Sequence, residues 1–225
     1  MADFHQVSKD IWKITDILHS SYRPWEYERV ILPMTVLRRF DCVLALTKEK
    51  VLVENKRWKN QLQDNALDSI LNQAAGQRFH NRSELTLEKI KDNVNNIDQH
   101  LITYINSFSK NVRDIFDRFE FAAEIEKMNE AKILYPIVLY FCDVDLHPNQ
   151  VDNITMGLLF EDLILRFQES AKQPTGEHYT PREVIHLMVN ILFDPDDNIL
   201  SKPIICNLFD PTCGTGGMLA EAENY

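Results

Sequence analysis

Six glycines serve the 225 residues of this chain, and four of them, Gly176, Gly214, Gly216 and Gly217, fall within the last fifty. Ahead of these stand only Gly76 and Gly157. Glycine adopts left-handed and tightly turned backbone at no steric cost. A chain so short of it at the front and so rich in it at the end is expected to change architecture. The front reads as helix after helix, and the end as a backbone-shaped loop.

Helical periodicity fills the front. Phe4, Val7, Ile11, Ile14 and Leu18 recur at three- and four-residue spacing and predict one helix, with Asp3 and Gln6 as its capping box. A second helix follows Tyr27, with Leu32, Val36, Phe40 and Val43 or Leu44 on one face. Pro33 either kinks it or marks its start. Leu62, Ala66, Ser69 and Ile70 predict another, as do the stretches 97–108, 112–121 and 131–141. The apolar run ITMGLLFEDLILRF, 154–167, predicts a long helix capped by Asp152 or Asn153.

The polar segment SAKQPTGEHYTP then breaks the pattern and marks a domain boundary. Beyond it, PREVIHLMVNILF predicts a helix and DPDDNILSKP a turn-rich link. IICNLFD, 204–210, is a short apolar run feeding the loop DPTCGTGG, and MLAEAENY follows. Strand, loop and helix in that order form the first unit of a parallel α/β sheet. The expected division is 1–165, helical, and 166–225, the start of an α/β domain.

The loop from Asp210 to Gly217 admits several readings. A phosphate-binding P-loop needs Lys and Ser or Thr after its last glycine, and Met218 and Leu219 stand there. The dinucleotide spacing G-x-G-x-x-G is not met. A nucleoside-and-amino-acid pocket, in which an acidic residue ends the strand before a glycine loop, remains open. So does a tight turn that binds nothing. Asp210 and Pro211 at the end of an apolar run favour a ligand site. Upstream, GEHYTPRE places Thr180 as N-cap, Pro181 as first helical residue and Glu183 as capping-box partner. That is a well-formed helix start in its own right. His178 and Tyr179 beside it would also suit a ligand carrying a carboxylate and an aromatic ring.

Composition narrows the function classes. A net charge of −10 opposes a surface that grips phosphate throughout, since such binding draws on counterion release. Four scattered cysteines with no C-x-x-C predict neither zinc nor disulfides, and free thiols fit a cytoplasmic protein. No run is apolar and long enough to cross a bilayer, and the N-terminus lacks a secretion-signal pattern, so no membrane association is expected.

Taken together the segments resemble the modification subunit of type I restriction-modification systems. The resemblance rests on IWKITDILHSSYRPWEYERVILPMTVLRRFD, on INSFSKNVRDIFDRFEF and VDLHPNQVDNITMGLLFEDLILRF, and above all on GEHYTPREVIHLM followed by DPTCGTGGML. It implies an N-terminal helical domain for assembly and DNA contact, then the start of a Rossmann-like α/β methyltransferase domain. The implied reaction is methyl transfer from S-adenosylmethionine to N6 of a flipped adenine in DNA. The implied partners are DNA, a specificity subunit that chooses the sequence, a restriction subunit and a second modification subunit. On matching positions, Glu177, His178, Tyr179, Thr180, Pro181 and Arg182 would line the methionine end of the cofactor, with Thr180 near its carboxylate. Asp210, Thr212, Gly214, Thr215, Gly216 and Gly217 would surround its amino-acid and ribose parts.

One departure weighs against activity. The family's Asn-Pro-Pro-aromatic motif, which holds the flipped adenine, is absent from these 225 residues. The chain therefore reads as a piece of the enzyme, inactive alone, with no catalytic residue of its own. The rival reading is a non-catalytic helical interaction module without cofactor.

Remaining signals are weaker. Lys48, Lys50, Lys56, Arg57 and Lys59 around Trp58 could touch DNA backbone, although a solvated helix face is the plainer reading. Arg38 and Arg39 either pair with acidic groups at a subunit contact or snorkel at the core edge. Cys213 reads as packing rather than nucleophile, and Asp196 and Asp197 carry no expected catalysis.

Overall fold

Ile11, Ile14 and Leu18 are wholly buried, as the first stripe requires, but the helix that carries them is broken. In the computed structural model, which describes residues 4–171, 180, 182–194, 207–213 and 216–225, a turn at residues 13–14 separates α1 (Phe4–Trp12) from α2 (Thr15–Leu18). The capping residue Asp3 lies outside the described residues. The chain divides into two compact units, Met1–Lys172 and Gln173–Tyr225.

In the first unit, α3 (Glu28–Leu44) is the central element. Val30, Ile31, Met34 and Leu37 are buried, whereas of the predicted face only Leu44 is, with Leu32, Val36, Phe40 and Val43 partly buried. A helix enclosed on most sides carries no single stripe, so periodicity chose the lesser face. Pro33 lies inside α3 and does not start it. Next come α4 (Lys48–Trp58) and α5 (Asp64–Ala75), packed together as a hairpin. The buried face of α5 is Leu67, Leu71 and Ala75, while Ala66 and Ser69 of the predicted face are exposed. Gly76 closes α5 at φ +64.

The stretch after Gly76 returns to α7 (Ile97–Asn106) by an isolated antiparallel bridge between Asn81 and Phe108. Between them Thr86 caps the short α6 (Leu87–Lys91), its hydroxyl accepting from the Lys89 amide at 3.2 Å. The helix predicted over 112–121 is two helices, α8 (Lys110–Arg118) and α9 (Phe121–Glu130), parted by Glu120 at φ 51. Lys132, at φ 58, separates α9 from α10 (Leu134–Asp143), so the helix expected over 131–141 begins later. α11 (Asn153–Ala171) closes the unit and packs along α1. Asp152 is its cap, accepting from the Thr155 amide at 2.7 Å. α11 runs unbroken through positions 165 and 166.

Arg38 and Arg39 lie at the core edge, Arg38 donating to Asp41 Oδ2 at 3.2 Å, and both reach backbone carbonyls across the unit. The Arg38 guanidinium donates to the carbonyls of Cys142 (2.9 Å) and Val144 (2.8 Å). Arg39 donates to those of Leu146 and Val151, both at 2.6 Å, and to Asn153 Oδ1 at 2.9 Å. The pair thus replaces the secondary structure that the 142–153 connection lacks, satisfying carbonyls that would otherwise be buried without a donor. Lys48 is likewise no DNA contact. It is buried, donates to the Leu85 carbonyl and lies 4.9 Å from the Tyr104 ring centroid. Burial pushes its ammonium down to about 8. Lys50, Lys56, Arg57 and Lys59 are exposed, as a solvated face requires.

The described part of the second unit holds α12 (Arg182–Phe193) and α13 (Gly217–Asn224), which pack together. No strand occurs among the described residues. Of the predicted strand 204–210, residues 207–210 are described and are irregular. A strand exists only through ladder bonds to a neighbour, and no described segment supplies one.

Candidate cofactor site

Two short helices and one loop carry the described site residues. α13 begins at Gly217 behind Gly216, whose φ of +81 puts the N-cap in left-handed backbone. Among the described residues, nothing lies within 4 Å of where a Cβ on Gly216 would stand, so its positive φ is what calls for glycine. Gly217 differs: a Cβ there would come within 2.6 Å of Ile185 Cδ1. Its bare backbone lets α12 and α13 approach closely.

The Gly216 amide donates to the Cys213 carbonyl at 2.7 Å, and the Ala220 amide to the Gly216 carbonyl at 2.9 Å. These two bonds tie Cys213 to the N-cap and the N-cap to the first turn of α13. Asp210 Oδ1 accepts from the Thr212 amide at 2.9 Å and from the Thr212 hydroxyl at 3.3 Å. This turn fixes the carboxylate at the mouth of the loop. On α12, Arg182 and His186 each lie 3.7 Å from Glu221 of α13.

Of the twelve residues assigned from the sequence, Thr180, Arg182, Asp210, Thr212, Gly216 and Gly217 are described. Glu177, His178, Tyr179, Pro181, Gly214 and Thr215 lie outside the described residues, as do Asp196 and Asp197. The structure joins Asp210 to Thr212, and it joins Arg182 to the helix behind Gly217 through Glu221. Thr180 is exposed. Sequence reasoning missed Ile185, His186 and Glu221. The i, i+4 spacing of Arg182 and His186, opposite an acidic residue on the next helix, is the signal that could have found the last two.

α12 also shows an apolar stripe to solvent. Val184, Leu187, Met188 and Ile191 are 44%, 59%, 46% and 66% exposed, at the spacing of one helix face.

Comparison with known proteins finds two family matches along the chain. Residues 7–141 match the family described as HsdM N-terminal domain. The chain belongs to this family. Residues 151–225, which include α11, α12 and the glycine loop, match the N-6 DNA methylase family. HsdM-type relatives agree. The chain is 31% identical over 124 residues to the methylase subunit of the type I restriction enzyme MjaVII of Methanocaldococcus jannaschii, an alignment covering 54% of this chain and 19% of the relative. It is 31% identical over 116 residues to the methylase subunit of EcoEI from Escherichia coli, covering 52% and 21%. It is 22% identical over 250 aligned positions to the methylase subunit of MpnII from Mycoplasma pneumoniae, covering 96% and 43%. The chain thus spans less than half the length of each of these relatives. Among the described residues no helix is long and apolar enough to cross a membrane.

Proposed function

We propose that this chain carries the assembly domain and the opening of the methyltransferase domain of a type I modification subunit. The holoenzyme would transfer a methyl group from S-adenosylmethionine to N6 of an adenine flipped from cytoplasmic DNA. The single observation that carries this reading is the order of the two family matches, 7–141 and then 151–225. The helical domain would hold a specificity subunit, a restriction subunit and a second modification subunit, and would contribute contacts to DNA.

The described site residues fit the cofactor. Among the described residues, the space beside Gly216 is open, as a ligand pressed against backbone needs, and a Cβ would fill it. When bound, S-adenosylmethionine supplies an electrophilic methyl on a sulfonium. Asp210, held by Thr212, offers an acceptor for ribose hydroxyls or the amino group. Thr180, Arg182 and the segment before them would hold the methionine carboxylate, and Gly214, Thr215, Gly216 and Gly217 would give backbone access. The apolar stripe of α12 supports an α/β setting, because helices that cover a sheet carry such a face.

The test is calorimetry of S-adenosylmethionine with the holoenzyme and its Gly216→Val variant. Valine resists positive φ and would enter the open space, so binding should be lost while circular dichroism stays native. Unchanged binding removes the loop from the site and leaves the interaction-module reading. Residues 1–225 alone should incorporate no labelled methyl into DNA, because they contain no Asn-Pro-Pro-aromatic sequence. Incorporation above a protein-free blank would show that the catalytic group lies within them.

A further inference from the structure

Two features of the helical unit remain without a role, and they are complementary. The first is a projection. Trp25 lies in the 3₁₀ turn Pro24–Glu26 ahead of α3 and is 46% exposed. Arg23, itself exposed, holds its guanidinium 5.2 Å from the Trp25 ring centroid. The turn beneath is tied by three hydrogen bonds. The Glu26 amide donates to the Arg23 carbonyl (2.8 Å), the Arg23 amide to Glu26 Oε2 (2.9 Å), and Lys127 to Glu26 Oε1 (3.1 Å). A large aromatic fixed in advance costs little entropy on docking, and Trp and Arg are the side chains that dominate interface energetics.

Nucleic acid is a poor match for this projection. Arg23, Arg29 and Lys127 are balanced locally by Glu26, Glu28 and Glu124, with Arg29 at 3.9 Å and Lys127 at 4.0 Å from Glu124. A patch of no net charge lacks the counterion-release term on which phosphate binding depends. A protein surface is the better match.

The second feature is a groove of about 540 Å³ between α4 and α5. Val53, Ile70 and Ala74 line it with apolar surface, and Glu49, Glu54, Lys50 and Gln73 complete it. Val53 is 60% exposed. The charges at this groove sum to one negative, so its carboxylates can meet the single Arg23 guanidinium although the projection as a whole is neutral. Apolar lining meets indole, and the acidic excess meets Arg23.

We propose that a second copy of this chain inserts Trp25, with Arg23 stacked on it, into the α4–α5 groove. This rests on the reading that two modification subunits share one assembly, and it assigns their contact surface. A projection and a groove at different places on one chain make a contact in which each copy can both give and receive.

Sedimentation of residues 1–225 over a concentration series tests this with no other protein present. The chain should self-associate, and Trp25→Ala and Val53→Glu should each weaken the association by roughly tenfold or more. Mixing the two variants is the decisive step. The Val53→Glu chain keeps the projection and the Trp25→Ala chain keeps the groove, so the mixture should associate where neither does alone. Arg23→Glu should weaken association, and adding Glu49→Arg should recover it. If association persists unchanged in every variant, the two-copy reading stands and this surface is wrong. Contact through the exposed face of α12 would give that result. If the wild-type chain stays monomeric throughout, this contact is wrong, and two copies can share an assembly only through another subunit. If the variants leave self-association intact but abolish binding of a purified specificity subunit, the occupant is that subunit and the proposal is overturned.

Discussion

His80 is fully buried and its ring faces three polar side chains, Asn72, Arg82 and, 3.6 Å from Nε2, Asp68. Arg82 Nε can only donate, so His80 Nε2, 3.2 Å away, must accept. The ring proton then sits on Nδ1 and is donated to Asn72 Oδ1 at 2.8 Å. Burial, reinforced by the Arg82 charge, holds the imidazolium down to about 4. Its ordinary value in the unfolded chain is 6.5. Between those two values the unfolded state binds the extra proton, so stability rises with pH across that window. The contribution is complete above pH about 6.5 and is lost as pH falls towards about 4, by about 3 kcal/mol in total. Urea unfolding of wild type and His80→Gln at several pH values should show two curves that converge as the solution is acidified. Parallel curves would mean that folding does not lower the His80 pKa. A second residue-scale expectation concerns Lys132. Its amide bonds to the Asn129 carbonyl and that of Ile133 to the Met128 carbonyl, each at 3.0 Å, a helix ending that calls for left-handed backbone. Gly76 fills the equivalent place after α5 with φ +64, where Lys132 must adopt φ 58. Lys132→Gly should therefore stabilise the unit by about 0.5–1 kcal/mol, read as a raised urea midpoint at unchanged slope.

Among the elements, the two arginines of α3 carry the argument furthest. Arg39 supplies three hydrogen bonds to the connection that leads from α10 into α11. Arg39→Met keeps the stem but strands the Leu146 and Val151 carbonyls, and should cost about 2–4 kcal/mol in chemical denaturation. A cost under about 0.5 kcal/mol would show that water replaces the guanidinium without penalty. These roles explain what the sequence could and could not disclose. α11 was legible, including Asp152 as one of two possible caps, because a long apolar run behind a short acceptor has few other outcomes. The partition of 110–130 into two helices was not, since Glu120 carries no turn signal and yet adopts φ 51. The role of Arg38 and Arg39 was hidden because most of their acceptors are backbone carbonyls more than a hundred positions away. Within the site, Asp210 and Gly216 stood out by residue type, whereas Ile185 against Gly217 is visible only in three dimensions.

Across the molecule, sequence family and packing draw their lines in different places. The methylase match opens at residue 151, yet α11 packs on α1 within the unit that ends at Lys172. Asp162 ties the two helices together. It accepts from the Ser8 hydroxyl and from Arg166 Nε at 2.6 Å, with His5 Nδ1 at 3.7 Å. Burial raises its pKa, but the bonds from Ser8 and Arg166 outweigh that and hold the carboxyl below its ordinary range. Asp162→Asn would keep the shape and lose the charge, leaving the Arg166 guanidinium without its nearest anion. A loss of about 1–3 kcal/mol is expected, and faster proteolysis near the N-terminus should accompany it.

That tie bears on how such subunits could be shuffled. A chimaera joining the front of this chain to a relative's methylase region at residue 150 would seat Ser8 and Trp12 against a foreign helix. A seam after Lys172 would move the docked pair as one piece. The first hybrid should melt several degrees below both parents and the second beside them. The heritable cassette for this front portion would then extend one helix past the point where its family signature stops.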